Sequence, residues 1–211
     1  MAKKLISKII HTCWFGSNQK PPKILACLES WKKHLPEYEI REWNEHNFDL
    51  SQNPFALEAF NRKRYAFVTD YCRLKLLYDF GGLYFDSDIE IVKPLDKFLW
   101  NRAFSGHETD SLTITAVMGA EKNHPWVKML LDYYSIDRPY SERTNTQIIT
   151  ELNKPWIERQ SYGHTYLKEG VVIFPVSTFA SFDHINLKKI PSDDAYAYHL
   201  YAGSWTSRGE K

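Results

Sequence analysis

Strand-like and helix-like stretches alternate through the first half of this chain, and that alternation leaves few folds open to it. Leu5 to Ile10 reads as a buried parallel strand bounded by the polar turn Gly16-Ser17-Asn18. Pro21 and Pro22 suit the first turn of a helix. Behind them Ile24, Leu28, Trp31 and Leu35 form one apolar stripe at helical spacing, which Pro36 ends. Tyr38 to Trp43 alternates like a strand. Phe55 to Lys63 and Tyr65 to Phe80 read as helices, the second closed by Gly81-Gly82. Leu83 to Val92 reads as a strand broken near Asp88 and ended by Pro94. The order β-α-β-α-α-β predicts an α/β fold, doubly wound, with a mostly parallel central sheet flanked by helices. In the less regular second half, His124 to Tyr134 and Asn145 to Leu152 read as helices. Val171 to Phe174 and Ala195 to Tyr201 read as short strands. No repeat, low-complexity segment or Gly/Ser linker marks a boundary, so a single domain over residues 1–211 is expected.

Charge narrows the partners. Lys plus Arg number 27 against 26 Asp plus Glu, a net charge of +1. A nucleic-acid binder needs a positive excess to neutralise phosphates, so that class is excluded. Aromatic residues at 15% predict ring-lined surfaces as well as a ring-rich core. Cys13, Cys27 and Cys72 are odd in number and show no CxxC spacing. They read as reduced packing residues, not a disulfide framework or a zinc site. No apolar run approaches the roughly 18–20 residues of a membrane span. Lys3, Lys4 and Lys8 suit a solvated end or a brush against an anionic membrane. A cytoplasmic protein, with peripheral membrane contact as an option, is the expectation.

In a doubly wound sheet, ligands collect outside the carboxyl ends of the strands. Three places lie there: His11 to Gly16, the end of Leu83 to Asp88, and the chain near His199. Asp86-Ser87-Asp88 is the sharpest. Residues two apart on a strand share a face, with Cα atoms roughly 6.6 Å apart. Two carboxylates placed so can converge on a hard divalent cation, Mn2+ or Mg2+, that completes its shell with substrate phosphates. Two solvated acids at a strand end are the plainer alternative. Asp70 and Arg73 lie three apart on the preceding helix and share a face. They are either a surface ion pair or a carboxylate for sugar hydroxyls beside a guanidinium for phosphate. Trp14 is either core or a ring at the rim that stacks on a nucleobase. His199, followed by Ser204 and Trp205, is either structural or a further metal ligand.

Taken together, His11-Thr12-Cys13-Trp14-Phe15-Gly16, Arg64-Tyr65-Ala66 with Asp70 and Arg73, and Gly81-Gly82-Leu83-Tyr84-Phe85-Asp86-Ser87-Asp88 resemble glycosyltransferase family 32. That family includes bacterial capsular polysaccharide transferases and the yeast initiating α-1,6-mannosyltransferase. The segment ending in the DSD also looks like the catalytic domain of the large clostridial glucosylating toxins. The likeness is densest over residues 6–98 and returns from His199 to Trp205. It implies a GT-A fold, with a Rossmann-like sheet, and transfer of a hexose from a nucleotide-sugar donor, UDP-sugar ahead of GDP-sugar. Residues 1–98 would hold donor and metal, and 99–211 would face the acceptor. By the same resemblance Trp14 would stack on the base and Asp70 would hold donor hydroxyls. Arg73 would take the sugar and phosphate, and Tyr84 would line the pocket. Asp86 would face the ribose or metal-bound water, and Asp88 would bind the metal directly. His199 and Ser204-Trp205 would close the donor site, Trp205 touching the β-phosphate. Relatives have a Gly-Pro turn where this chain reads Thr144-Asn145-Thr146-Gln147, which leaves Asn145 and Gln147 as candidates beneath the anomeric carbon. Relatives also retain anomeric configuration, which implies a same-face substitution. The acceptor would be a glycan, free or lipid-linked, in bacterial surface polysaccharide synthesis, or a protein side chain in an effector-like variant. Two other classes remain: a DxD phosphohydrolase, which usually carries its motif after the first strand, and a non-catalytic, metal-dependent sugar-binding module.

Overall fold

Eight strands join edge to edge in this computed structural model, which describes residues 4–16, 18–135, 138–183, 186 and 188–202. The strands are β1 (Ile9–Cys13), β2 (Glu39–Trp43), β3 (Gly82–Phe85), β4 (Ile89–Ile91), β5 (Ala103–Thr109), β6 (Leu112–Thr113), β7 (Val117–Ala120), β8 (Ile157–Ser161), β9 (His164–Leu167), β10 (Val171–Phe174), β11 (Phe182–Asp183), β12 (Lys188–Lys189) and β13 (Ala197–His199). The helices are α1 (Pro22–His34), α2 (Pro54–Asn61), α3 (Tyr65–Phe80), α4 (Pro125–Asp132), α5 (Asn145–Asn153) and α6 (Val176–Phe179). The main sheet runs β2-β1-β3-β7-β5-β10-β9-β8, with β6 paired to β5. Its pairings set β2, β1, β3, β5, β10 and β8 in one direction and β7 and β9 in the other. This is the mostly parallel central sheet with flanking helices that the alternation predicts.

Strand alternation sorts the core into two layers. Leu83 and Phe85 of β3 pack with Trp31 and Leu35 on the α1 side. Tyr84, between them, packs with Leu74 and Leu77 on the α3 side. α3 is buried along most of its length, including Asp70 and Arg73, and shows almost no solvent face. Its ends fall where the sequence places them, as do those of β10. β1 begins four residues later than expected. The amides of Leu5 and Ile6 donate to the Leu99 carbonyl, at 2.9 and 3.1 Å, so that apolar run packs beside the sheet. The strand proper takes in His11 and Thr12, both buried. The expected Leu83 to Val92 strand is two strands, β3 and β4, with the DSD between them. β5, β7, β8 and β9 were not foreseen.

Candidate active site

Gly81 and Gly82 set up the turn that matters most. Their φ values are 68° and 98°, and a Cβ on Gly82 would stand 2.6 Å from the Ile9 carbonyl oxygen. No side chain fits where α3 hands over to β3. β3 then stops, and Asp86-Ser87-Asp88 forms a turn in which the Ile89 amide donates to the Asp86 carbonyl at 3.1 Å. The two carboxylates were expected to share a strand face; the turn brings them together instead.

Asp86 leans to the α3 side. The Tyr84 hydroxyl donates to its Oδ1 at 2.9 Å, and Arg73 stands 3.3 Å from Oδ1 and 3.4 Å from Oδ2. The guanidinium carbon lies 4.9 Å from the Tyr84 ring centroid. Arg73 is 4% exposed and also donates to the Thr115 carbonyl (2.9 Å), to Thr115 Oγ1 (2.8 Å) and to Asp70 Oδ1 (2.9 Å). Burial works against its charge, but Asp86, Tyr84 and Asp70 outweigh that and hold it firmly cationic. Asp70 is the weaker partner. Burial lifts its carboxyl to about 6, against the pull of Arg73 and of Asn145 Nδ2, which donates to Oδ1 at 2.7 Å. The pair is thus a buried one, and Arg73 is shared between two carboxylates.

Asp88 leans to the other side. β13 pairs antiparallel with β4, and the chain beyond it wraps the turn. The Leu200 amide donates to the Asp88 carbonyl at 3.1 Å and the Ala202 amide to Asp88 Oδ2 at 2.8 Å, while His199 Nε2 stands 3.4 Å from Oδ1. Burial raises the Asp88 carboxyl, yet His199 and the Ala202 amide overcome it and bring it down to about 2. His199 is raised in turn, because Asp88 outweighs its own burial. Its Nδ1 is buried with no partner among the described residues.

Ligand atoms of Asp86, Asp88 and His199 lie within 4.8 Å of one another. Two carboxylate oxygens and an imidazole nitrogen fit a divalent cation, and the mixed set suits Mn2+ better than the harder Mg2+. Trp14 follows β1 on the same edge, half-buried. Its indole N–H donates to the Asn18 carbonyl at 2.8 Å, and the Lys20 ammonium sits 5.3 Å from its ring centroid. Asn145 is buried against Asp70, and its Oδ1 has no partner among the described residues. Gln147 is exposed. Tyr84, expected to line the donor pocket, lies buried beneath Asp86. Ser204 and Trp205 lie outside the described residues. Sequence reasoning missed Thr115 and the Ala202 amide, which are reached only through tertiary contact. It also missed Tyr134, whose buried hydroxyl has no partner among the described residues and feels both Asp70 and Arg73.

Residues 21–105 match a family model described as "Glycosyltransferase sugar-binding region containing DXD motif", and that span contains the DSD turn. That span is similar to the sugar-binding region of DXD-type glycosyltransferases, which supports a transferase. Over 126 residues, 58% of its length, it is 30% identical to inositol phosphoceramide mannosyltransferase 3 of Schizosaccharomyces pombe, covering 35% of that protein. Over 134 residues, 60% of its length, it is 28% identical to mannosyltransferase 2 of the same name and organism, covering 38%. The matched region is therefore little more than a third of these curated relatives. Among solved structures, PaToxG glycosyltransferase aligns with a TM-score of 0.54 at 17% identity, over 70% of this chain and 68% of that one. A glycosyltransferase involved in glycosylation of the major capsid of PBCV-1 gives 0.53 at 15% identity, over 96% of both chains. At such identity these two bear on the fold alone, and that fold is GT-A-like.

Proposed function

We propose that this chain is a metal-dependent, retaining hexosyltransferase of the family 32 kind. It would draw on a UDP-sugar, or failing that a GDP-sugar, and act on a glycan acceptor in bacterial surface polysaccharide synthesis. The observation that carries the reading is the meeting of Asp86, Asp88 and His199 within 4.8 Å on the carboxyl edge of the sheet, inside the matched sugar-binding region. A divalent cation held there would supply positive charge to a departing nucleoside diphosphate. Residues 1–98 form the donor half in this reading and 99–211 the acceptor half.

The side chains divide the work. Trp14, at the rim, stacks on the base. Asp70 and the unpaired Asn145 Oδ1 face the sugar hydroxyls. Arg73 is buried and fully engaged, so it positions Asp70 and Asp86 more than it meets phosphate. Tyr84 supports Asp86 from beneath. The acceptor oxygen attacks the anomeric carbon on the face from which the nucleoside diphosphate departs, and the departing phosphate oxygen takes the acceptor's proton. The yeast relatives are named mannosyltransferases, which puts mannose among the first hexoses to try. Cys13, Cys27 and Cys72 are free and buried, which supports a reducing compartment, the cytoplasm or the cytoplasmic membrane face, as the site of the reaction in this reading. No helix of the described residues is long and apolar enough to cross a membrane.

The test is thermal stabilisation by UDP or GDP with Mn2+, followed by a nucleotide-sugar hydrolysis panel, which needs no acceptor. A melting temperature unmoved by either pair, with no hydrolysis of any donor, overturns the reading.

A further inference from the structure

A cavity of about 590 Å³ opens on the same sheet edge as the DSD turn, and none of the donor-site residues lines it. β7 runs antiparallel to both β3 and β5, and β10 runs parallel to β5, so the carboxyl ends of β3, β5 and β10 share that edge. The DSD turn follows β3. His107 stands near the end of β5, Ser177 lies just past β10, and the β8–β9 hairpin closes the far side. Counting strand spacings of about 4.8 Å from β3, the cavity's lining runs from roughly 10 Å away at β5 to roughly 24 Å away at β8.

Its lining mixes donors and acceptors. His107 Nε2 lies 3.0 Å from Thr165 Oγ1, and Gln160 Nε2 donates to the same oxygen at 3.1 Å. Asp110 and His164 face the same space. Among the described residues that line it there is no lysine or arginine, so a diphosphate finds no counter-charge. The set suits a neutral ligand whose hydroxyls both donate and accept. The volume falls within the roughly 300–1,000 Å³ of small-molecule sites.

Tyr162 is the second observation. It is 97% exposed, at the tip of the two-residue turn between Ser161 and His164. Its φ is 49° and that of Gly163 is 74°. Hairpin turns with positive φ at both central residues favour Asn-Gly or Asp-Gly. A bulky ring in that backbone region is strained. It neither packs nor suits the turn, so the fold does not account for it. A bare aromatic face at the lip of a hydroxyl-binding cavity is what the C–H face of a sugar ring stacks upon.

The geometry points to an acceptor subsite here, holding a neutral saccharide by hydroxyl contacts to His107, Asp110 and Gln160 and by stacking on Tyr162. The word acceptor rests on the transferase reading above; saccharide binding does not. The probes are the methyl glycosides of mannose, glucose and galactose, followed by saturation-transfer NMR. Tyr162→Asn gives the turn the residue it favours and removes the ring. It should melt at or above the wild-type temperature and bind the saccharide about tenfold more weakly. Tyr162→Phe should bind as wild type does. Equal affinity in wild type and Tyr162→Asn, or no saccharide binding by wild type, overturns the proposal. So does a Tyr162→Asn protein that is less stable as well as weaker binding, because the ring would then serve the fold. UDP and GDP with Mn2+ are titrated on the same samples. Ring-dependent saccharide binding without nucleotide binding overturns the donor reading and keeps the saccharide site. Nucleotide binding without saccharide binding overturns the saccharide site alone.

Discussion

One sheet edge carries two regions built on opposite terms. At the end of β3 the charges are buried: Arg73, Asp70 and Asp88 are 4%, 7% and 9% exposed, and each is met by a counter-charge or an amide. At the β8–β9 hairpin the polar groups are mostly neutral, and the ring at the lip stands clear in solvent. The first region stores organisation. Fixed dipoles and charges in a dry setting need no rearrangement when negative charge develops beside them. The second stores little, and it depends on short hydrogen-bonding side chains and a loop tip that tolerate change. The difference teaches where each substrate's variation can be absorbed: the hairpin can change its ligand without disturbing the turn, whereas the turn cannot lose one charge without stranding another.

The largest expected effect tests the first region. Asp88→Asn keeps shape and can still accept the Ala202 amide, but it removes the charge that holds a cation. Donor hydrolysis should fall below about a thousandth of wild type, ~4 kcal/mol in barrier, with circular dichroism unchanged. Turnover within about tenfold of wild type would dismiss Asp88 as the principal ligand. Arg73→Met should come next. It leaves Asp70 and Asp86 without their shared cation, and urea unfolding should show a loss of at least about 3 kcal/mol. A cost under about 1 kcal/mol would mean the network behaves like a surface pair, and the contrast with the hairpin would collapse.

A pH effect of similar size sits behind the same turn. Burial lowers the His11 imidazole to about 4, although a hydrogen bond to Gly81 raises it. Its Nδ1 accepts from the Trp43 indole at 3.2 Å, so Nε2 carries the proton that meets the Gly81 carbonyl at 3.0 Å. Only the neutral ring satisfies both contacts. The folded pKa is depressed below 6.5, so His11 stabilises above that value, and the contribution is lost as pH falls towards 4. Its full size is roughly 3 kcal/mol. Asp70, lifted to about 6, works in the opposite sense over the same range. The measurement is therefore a difference: urea stability from pH 7 to 4 in wild type less that in His11→Gln. A flat difference removes His11 from the acid response.

What was legible in the sequence follows the same division. α3 is bounded where the reading puts it because Gly81-Gly82 is a backbone signal that needs no partner. The DSD, Asp70 and Arg73 stood out as a group because chain order alone brings helix, glycine turn and strand end together. Their partners did not: Thr115, Asn145 and the Ala202 amide arrive from 42, 75 and 114 residues away. The β8–β9 hairpin stayed hidden for a sharper reason. Asn-Gly at its tip would have announced it, and Tyr162-Gly163 stands there instead. Local rules tend to fail where a residue serves something other than the fold, and this is the residue the proposed saccharide site uses.

Trp14 offers the smallest of these effects and the finest cut between binding and fold. Trp31 and Trp126 are fully buried and belong to the core. Trp14 is half-exposed on the rim, fixed by its indole bond to Asn18 and with the Lys20 ammonium near its ring. A ring that stacks on the donor base touches it equally in the ground and transition states, so its loss should raise KM and leave kcat nearly alone. Base stacking is worth about 1–3 kcal/mol, so Trp14→Ala should weaken nucleotide affinity by roughly 5- to 150-fold. If Trp14 instead serves the core, the variant melts lower and its folded fraction binds nucleotide as wild type does. Melting temperature and UDP or GDP affinity measured on one preparation separate the two outcomes. Since the hairpin lies several strands away on the same edge, the affinity of Trp14→Ala for methyl hexosides should stay put. A fall in both ligands together would mean that the two regions are one site.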